Sequence, residues 1–212
     1  MTPAAALLVS FAAVVAVIDW AAVARDTRRL EYATKPVVMV LLVAVAIAVE
    51  PVDPAFRVAI IVGLVCSLAG DVFLMLPRES LFVPGLVSFL VAHLAYIVGF
   101  GLRGLSAGWV VAGVVVVAVG VATVGLRVVR AVRAGEHAEL AAPVTAYLAV
   151  ISAMVVCAFG TRNVFALVGA LSFYASDATL AWNRFVRPLP QGRLVTMVTY
   201  HLGQLGIVLS LV

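Results

Sequence analysis

Eight apolar runs follow one another along the chain with only short polar breaks between them, at about 3–24, 34–50, 55–76, 81–100, 106–127, 139–159, 163–184 and 193–212. A helix of about 20 residues rises about 30 Å, the thickness of the hydrocarbon core of a bilayer. Val is abundant, but no run alternates apolar and polar residues with period two, as the strands of a small membrane barrel would. The expectation is therefore all-α: an integral membrane bundle of eight transmembrane helices, read as a single transmembrane domain over 1–212. Composition agrees, since 65% of the residues are hydrophobic, only 11% are charged, and the mean hydropathy of +1.21 excludes an ordinary soluble enzyme. The first run is expected to stay as helix one rather than act as a secretory leader, because no basic residue precedes it and its apolar stretch is long.

The formal net charge of +4 points to orientation in a membrane, not to nucleic acid. Of the 14 basic residues all but Lys35 are arginines, set at the ends of apolar runs with no aromatic interleaving. The breaks after helices one, three, five and seven hold Arg25, Arg28, Arg29, Lys35, Arg78, Arg127, Arg130, Arg133, Arg184, Arg187 and Arg193. The opposite side holds Arg57, Arg103 and Arg162. The positive-inside rule puts the richer side in the cytoplasm and both termini outside. The multi-pass chain is thus expected in a cell membrane, and its Ala/Val/Arg bias suits a bacterial one. Cys66 and Cys157 lie inside apolar runs and read as packing residues, not a disulfide.

Three carboxyls fall within the spans: Asp19, Asp71 and Asp177. An ionisable group in the bilayer costs about 2.5 to 3.5 kcal/mol on insertion scales and marks function by default. Each lies six or seven residues before the cytoplasmic end of an inward-running helix, which at 1.5 Å per residue places all three about 9 to 10 Å inside that end. Asp19, next to Trp20, is expected to snorkel or to pair with Arg25. His93 and His201 start from the same end on helices four and eight and reach slightly deeper.

An internal echo links the other two aspartates. Gly63, Gly70, Asp71, Leu74 and Arg78 are matched at identical spacing by Gly169, Ser176, Asp177, Leu180 and Arg184. Pro36 and Pro143 are offset by a similar amount, as are His93 and His201. A near-constant offset suggests two parallel four-helix halves with Asp71 and Asp177 as equivalents. Ser67 precedes Asp71 by one turn, and Ser176 adjoins Asp177. His93 with Tyr96, and Tyr200 and His201 with Gln204, place polar groups on one face of helices four and eight. Tyr147 on helix six joins the supporting candidates. Such residues serve equally as interhelical hydrogen-bond glue, and the aspartates themselves could be satisfied that way. The paired His spacings of metal sites are absent and His137 falls in a loop, so no metal ligand is assigned. Lys35, the only lysine, opens helix two just before Pro36, where its ammonium could hold a phosphate or serve only to orient the span.

The segments TKP at 34–36, SLAGD at 67–71, FLVAHLAY at 89–96, SDATLAWNRF at 176–185 and YHLGQ at 200–204 together resemble the YhhN family of membrane proteins. The resemblance covers nearly the whole chain and is strongest in the two Asp-containing motifs. It implies an eight-helix fold and, by analogy with members of known activity, hydrolysis of the vinyl ether bond of a lysoplasmalogen to a fatty aldehyde and a glycerophospho-base. It also implies that Asp71 and Asp177 are the essential acidic residues. Lys35, Ser67, His93, Tyr96, Ser176, Tyr200 and Gln204 fall in the same motifs without assigned roles. His201 and Gly203 stand where relatives often carry small apolar residues, which leaves a role for His201 open.

The chemistry needs a proton on the β-carbon, an oxocarbenium ion, and water attack to a hemiacetal that collapses. Two carboxyls in a water-poor site can divide that work without a cofactor, as in glycoside cleavage. The expected partners are a membrane lipid or lysolipid and the bilayer itself; Ala and Gly faces leave the oligomeric state open. Two alternatives use the same aspartates. A proton-linked transporter of a small molecule or lipid would suit the repeat, whereas an intramembrane aspartyl protease would need a glycine pattern absent around Asp177.

Overall fold

The computed structural model describes residues 1–212 and contains helices and turns but no strand. Eight long helices build it: α1 (Pro3–Ala24), α2 (Arg28–Ala48), α3 (Pro54–Met75), α4 (Phe82–Leu102), α5 (Ala107–Ala134), α6 (Ala141–Gly160), α7 (Val164–Phe185) and α8 (Gly192–Leu209). Three starts are written plainly in the sequence. Thr2, Asp53 and Asn163 cap α1, α3 and α7 by accepting from Ala5, Phe56 and Ala166 amides, and proline follows directly in the first two.

Seven of these helices are long and apolar enough to cross a membrane by length and composition; α8 is not among them. The reason is visible in its packing. Thr196, Tyr200, His201 and Gln204 are buried, so the polar residues that lower its hydropathy face the protein interior rather than lipid. Leu7, Phe11, Val111, Val115 and Val119 on α1 and α5 are exposed, as expected of lipid-facing surface.

Two ends differ from the run-based reading. Helix α2 begins at Arg28, six residues before the apolar run, because RRLEYAT is made largely of good helix formers. Lys35 is therefore not at the opening of the helix but two turns in, beside Pro36 in the helix interior, and buried. Helix α5 continues past 127 through a π-helical turn, Val121–Gly125, so Arg127, Arg130 and Arg133 lie on a helix rather than in a loop. Its last turns bury Val128, Val129 and Val132 and expose those arginines, an amphipathic pattern that hydropathy alone reads as the end of a span.

The two ends of the bundle are tied differently. At one, Thr2 Oγ1 donates to Ala48 O at 2.9 Å, Val52 N to Leu211 O at 3.0 Å and Arg103 Nη1 to Ser210 O at 3.0 Å, which brings both termini together. At the other, the basic loops are tied by ion pairs: Arg193 to Asp26 (2.7 Å) and Glu31 (2.6 Å), and Arg184 to Glu79 (2.7 Å).

Helix pairing repeats along the chain. The most extensive contacts are α3 with α4 and α7 with α8, followed by α1 with α2 and α5 with α6. The α7–α8 crossing brings backbones into contact. A Cβ on Gly206 would lie 2.7 Å from the Gly169 Cα, and one on Gly203 would lie 2.8 Å from the Phe173 amide. On α3 the place of a Gly63 side chain is filled by the Tyr96 ring, 2.1 Å from where a Cβ would be. Cys66 and Cys157 are free.

Candidate active site

Asp71 on α3 and Asp177 on α7 both line one cavity of about 810 Å³ that reaches the basic end of the bundle. The walls are mainly apolar, among them Leu74, Phe82, Phe89, Val128, Leu148 and Ile151, and the mouth is ringed by Arg28, Arg78, Arg184 and Arg193 with Glu31 and Glu79. A void of this size suits a ligand of tens of atoms.

The two carboxyls differ in their company. The Lys35 ammonium lies 2.9 Å from Asp71 Oδ1, with the lysine and aspartate side chains 7% and 2% exposed. The Tyr200 hydroxyl donates to Asp71 Oδ2 at 2.5 Å. Behind it runs a chain of donors, in which Tyr96 Oη donates to Gln204 Oε1 at 2.7 Å and Gln204 Nε2 donates to Tyr200 Oη at 3.3 Å. Asp71 is thereby fixed from α2 and α8, with a buried cation beside it. Lys35, engaged in this pair, is not a free anchor for phosphate.

Asp177 has no lysine or arginine in contact. It accepts a short hydrogen bond from the Tyr147 hydroxyl of α6, and the His93 Nε2 of α4 lies 4.0 Å away. Its side chain is 19% exposed, where that of Asp71 is 2%, so Asp177 is the more accessible of the pair. His93 is wholly buried, and neither of its ring nitrogens has a hydrogen-bond partner. Its ring packs edge-on against Phe173 (4.8 Å) and Tyr147 (5.3 Å). Phe173 in turn stands edge-on to Tyr200 at 5.3 Å, so an aromatic file joins the surroundings of one carboxyl to those of the other.

Of the eleven residues singled out from the sequence, Lys35, Asp71, Tyr147, Ser176, Asp177 and Tyr200 line the cavity. Ser67, His93, Tyr96, His201 and Gln204 lie buried behind its wall. Ser176 donates to Thr196 O at 3.0 Å, whereas the Ser67 hydroxyl is unpaired. His201 accepts at Nδ1 from Trp20 Nε1 (3.0 Å), and its other nitrogen is unpaired. Asp19 departs from the expectation. It neither snorkels nor meets Arg25 but is fully buried, accepting from Thr34 Oγ1 at 2.6 Å, because it lies on the face of α1 that packs on α2. No three His, Cys, Asp or Glu side chains converge on one point. Sequence reasoning missed Thr34 and Thr196, whose partners lie on other helices, and the tie of Arg193 to Glu31. The aromatic file had one signal, Phe173 one turn before Asp177.

Fold and cavity together define a polytopic membrane protein with two dissimilarly held carboxyls at the inner end of a lipid-sized cavity with a basic mouth. Comparison with known proteins gives that class a family: the YhhN family profile matches residues 30–211, and the chain belongs to the YhhN family. Among similar proteins, lysoplasmalogenase TMEM86B of Homo sapiens is 37% identical over 148 residues, 70% of this chain and 61% of the relative. Lysoplasmalogenase TMEM86A of Homo sapiens is 34% identical over 163 residues, 72% of this chain and 65% of the relative. A lysoplasmalogenase of Mycobacterium tuberculosis is 37% identical over 164 residues, 74% of this chain and 60% of the relative. The alignments thus span only about three fifths of those relatives' length. No solved structure matches the chain.

Proposed function

We propose that this protein hydrolyses the vinyl ether bond of a lysophospholipid by acid/base chemistry at Asp71 and Asp177. The observation that carries the reading is the pair of unlike carboxyls at the inner end of an apolar cavity with a basic mouth. The names of the similar proteins support the substrate class.

Asp177 is the proton donor. It is open to the cavity, and no cation competes for its charge. Its proton passes to the β-carbon of the vinyl ether, and the α-carbon becomes an oxocarbenium ion. Asp71 supplies fixed negative charge to that cation, held in place by Lys35 and Tyr200 so that little reorganisation accompanies the step. Water then adds to the α-carbon and gives its proton to the Asp177 carboxylate, restoring the acid, as the acid/base carboxyl of a retaining glycosidase does. The hemiacetal collapses with transfer of its hydroxyl proton to the glycerol oxygen, giving fatty aldehyde and glycerophospho-base. Atoms balance with one water consumed. Tyr147 orients the donor by holding one carboxyl oxygen, which leaves the other for substrate.

The test is fatty aldehyde release from a lysoplasmalogen by purified protein in a maltoside detergent. Turnover by the native chain and its loss in Asp177→Asn support the reading. No aldehyde from the native chain, with proton flux into vesicles when a lysolipid is added, would replace it with transport.

A further inference from the structure

The cavity mouth carries more cationic groups than anionic ones, but most are already engaged. Arg28 pairs with Asp26 at 3.2 Å, Arg193 pairs with both Asp26 and Glu31, and Lys35 is held by Asp71. Besides Arg28, which engages Asp26 through Nε alone, two arginines on either side of Glu79 keep donors to spare. Arg78 makes no ion pair or side-chain hydrogen bond to the protein. Arg184 uses only Nη2, at 2.7 Å from the exposed Glu79, and its guanidinium lies 3.9 Å over the Phe82 ring, which fixes the plane of the fork. Glu79 follows Arg78 directly in the chain, so its reach to Arg184 shows that the two arginines flank the same opening.

Their positions repeat the aspartate pair. Arg78 stands seven residues after Asp71, and Arg184 stands seven after Asp177. Along α7 that interval is about 10 Å of rise. In a glycerol-based lysolipid, seven bonds separate the phosphorus from the vinyl β-carbon, about 8 Å for an extended chain at roughly 1.2 Å per bond. A phosphate at Arg184 therefore sets the reacting carbon near the depth of Asp177, while Arg78, in extended backbone past the end of α3, flanks the same opening.

We propose that Arg78 and Arg184 form a two-armed binding site for a monoanionic phosphodiester, the headgroup phosphate of the lysolipid. The assignment rests on the function proposed above and gives the site its measure of length: the arginines hold the phosphate, and the aspartates lie one glycerol away. Glu79, exposed and bound through one oxygen, yields its place on Arg184 to the incoming phosphate.

Binding separates this inference from catalysis. The probes are a 1-alkyl lysophospholipid, whose saturated ether cannot react, and the 1-alkylglycerol that lacks the phosphate. Arg78→Gln and Arg184→Gln are each expected to weaken lysophospholipid binding about tenfold and to leave alkylglycerol binding unchanged. Arg184→Lys should recover part of the loss, and Arg133→Gln, outside the cavity, should lose none. Equal losses for both probes, or no loss for either, would overturn the proposal. Inorganic phosphate that displaces the lysolipid at matching concentration would overturn the headgroup assignment in favour of a free-phosphate site. Native protein that binds through both arginines yet releases no aldehyde from a vinyl ether would remove the hydrolase reading and leave this site standing. Aldehyde release indifferent to both Gln variants would do the reverse.

Discussion

Tyr96 and Gln204 stand 108 positions apart on the last helices of the two halves, α4 and α8, and share a hydrogen bond of 2.7 Å. The same exchange between halves recurs at each carboxyl. Asp71 on α3 is held from α2 by Lys35 and from α8 by Tyr200. Asp177 on α7 is held from α6 by Tyr147, with His93 of α4 beside it. Each aspartate thus meets one residue from the preceding helix of its own half and one from the last helix of the other. The contributing helices repeat and the residues do not: Lys35 and Tyr200 face one carboxyl, Tyr147 and His93 the other. The two carboxyls stand in unlike surroundings, the kind of arrangement that sets paired titratable groups toward different roles.

The shared chain through Gln204 predicts coupled losses. Tyr200→Phe removes a hydrogen bond to a carboxylate and should cost about 1.5 to 3 kcal/mol, while Tyr96→Phe leaves Gln204 Oε1 unpaired at about 1 to 3 kcal/mol. The double variant should lose less than the sum, because both changes act on one amide. Thermal unfolding of the four proteins in detergent checks this, and strict additivity would dissolve the chain into separate bonds.

The two asparagine variants should part in stability while agreeing in activity. Asp71→Asn strands a buried lysine, at about 3 to 5 kcal/mol, and Lys35→Met in the same protein should restore most of it. Asp177→Asn keeps an acceptor for Tyr147 and strands no charge, so its cost should stay under about 1 kcal/mol. Both should slow aldehyde release at least about a hundredfold. A destabilised Asp177→Asn would contradict the division between a pinned and an open carboxyl.

How much of this was legible in the sequence follows from what each signal depends on. Spans of apolar residues are local, so the helices emerged with the right count and order. The exceptions are physical. RRLEYAT is helical for reasons that hydropathy ignores, the arginines of α5 ride on a helix that continues past the apolar run, and α8 is polar because it is central. Asp71 and Asp177 stood out because charge is costly in such runs. Their partners did not, since Lys35 meeting Asp71 rather than solvent, and Asp19 meeting Thr34 rather than Arg25, depend on which helix faces turn together.

Outside the spans, Asp26 ties the α1–α2 loop to the start of α8. The hydrogen bond and charge of Arg193, with Arg28 nearby, hold its carboxyl below the ordinary value of 3.8. A depressed carboxyl pKa stabilises the fold above its unfolded value and loses that contribution as pH falls through the folded one. The melting temperature of Asp26→Asn should therefore lie slightly below that of the native chain above pH 4. The gap should close on acidification below 3.8. A gap that widens there would assign the tie to another group.

The last prediction concerns the α7–α8 crossing, which sets where Tyr200 and Gln204 stand. Gly203 faces the backbone of Phe173, and a Cβ there would lie 2.8 Å from its amide nitrogen, a contact that no rotamer change relieves. Gly203→Leu must push the two helices apart, an overpacking cost of about 1 to 3 kcal/mol. It should also lower activity beyond that cost, because Tyr200 and Gln204 travel with α8 while Asp177 stays on α7. Gly108→Ala, where a Cβ meets nothing within 4 Å, should change neither property. Melting temperature and aldehyde release, measured on both variants, separate a loss of packing from a loss of registration between the two halves. A Gly203→Leu protein with native turnover would show that the crossing does not hold the tyrosine on Asp71.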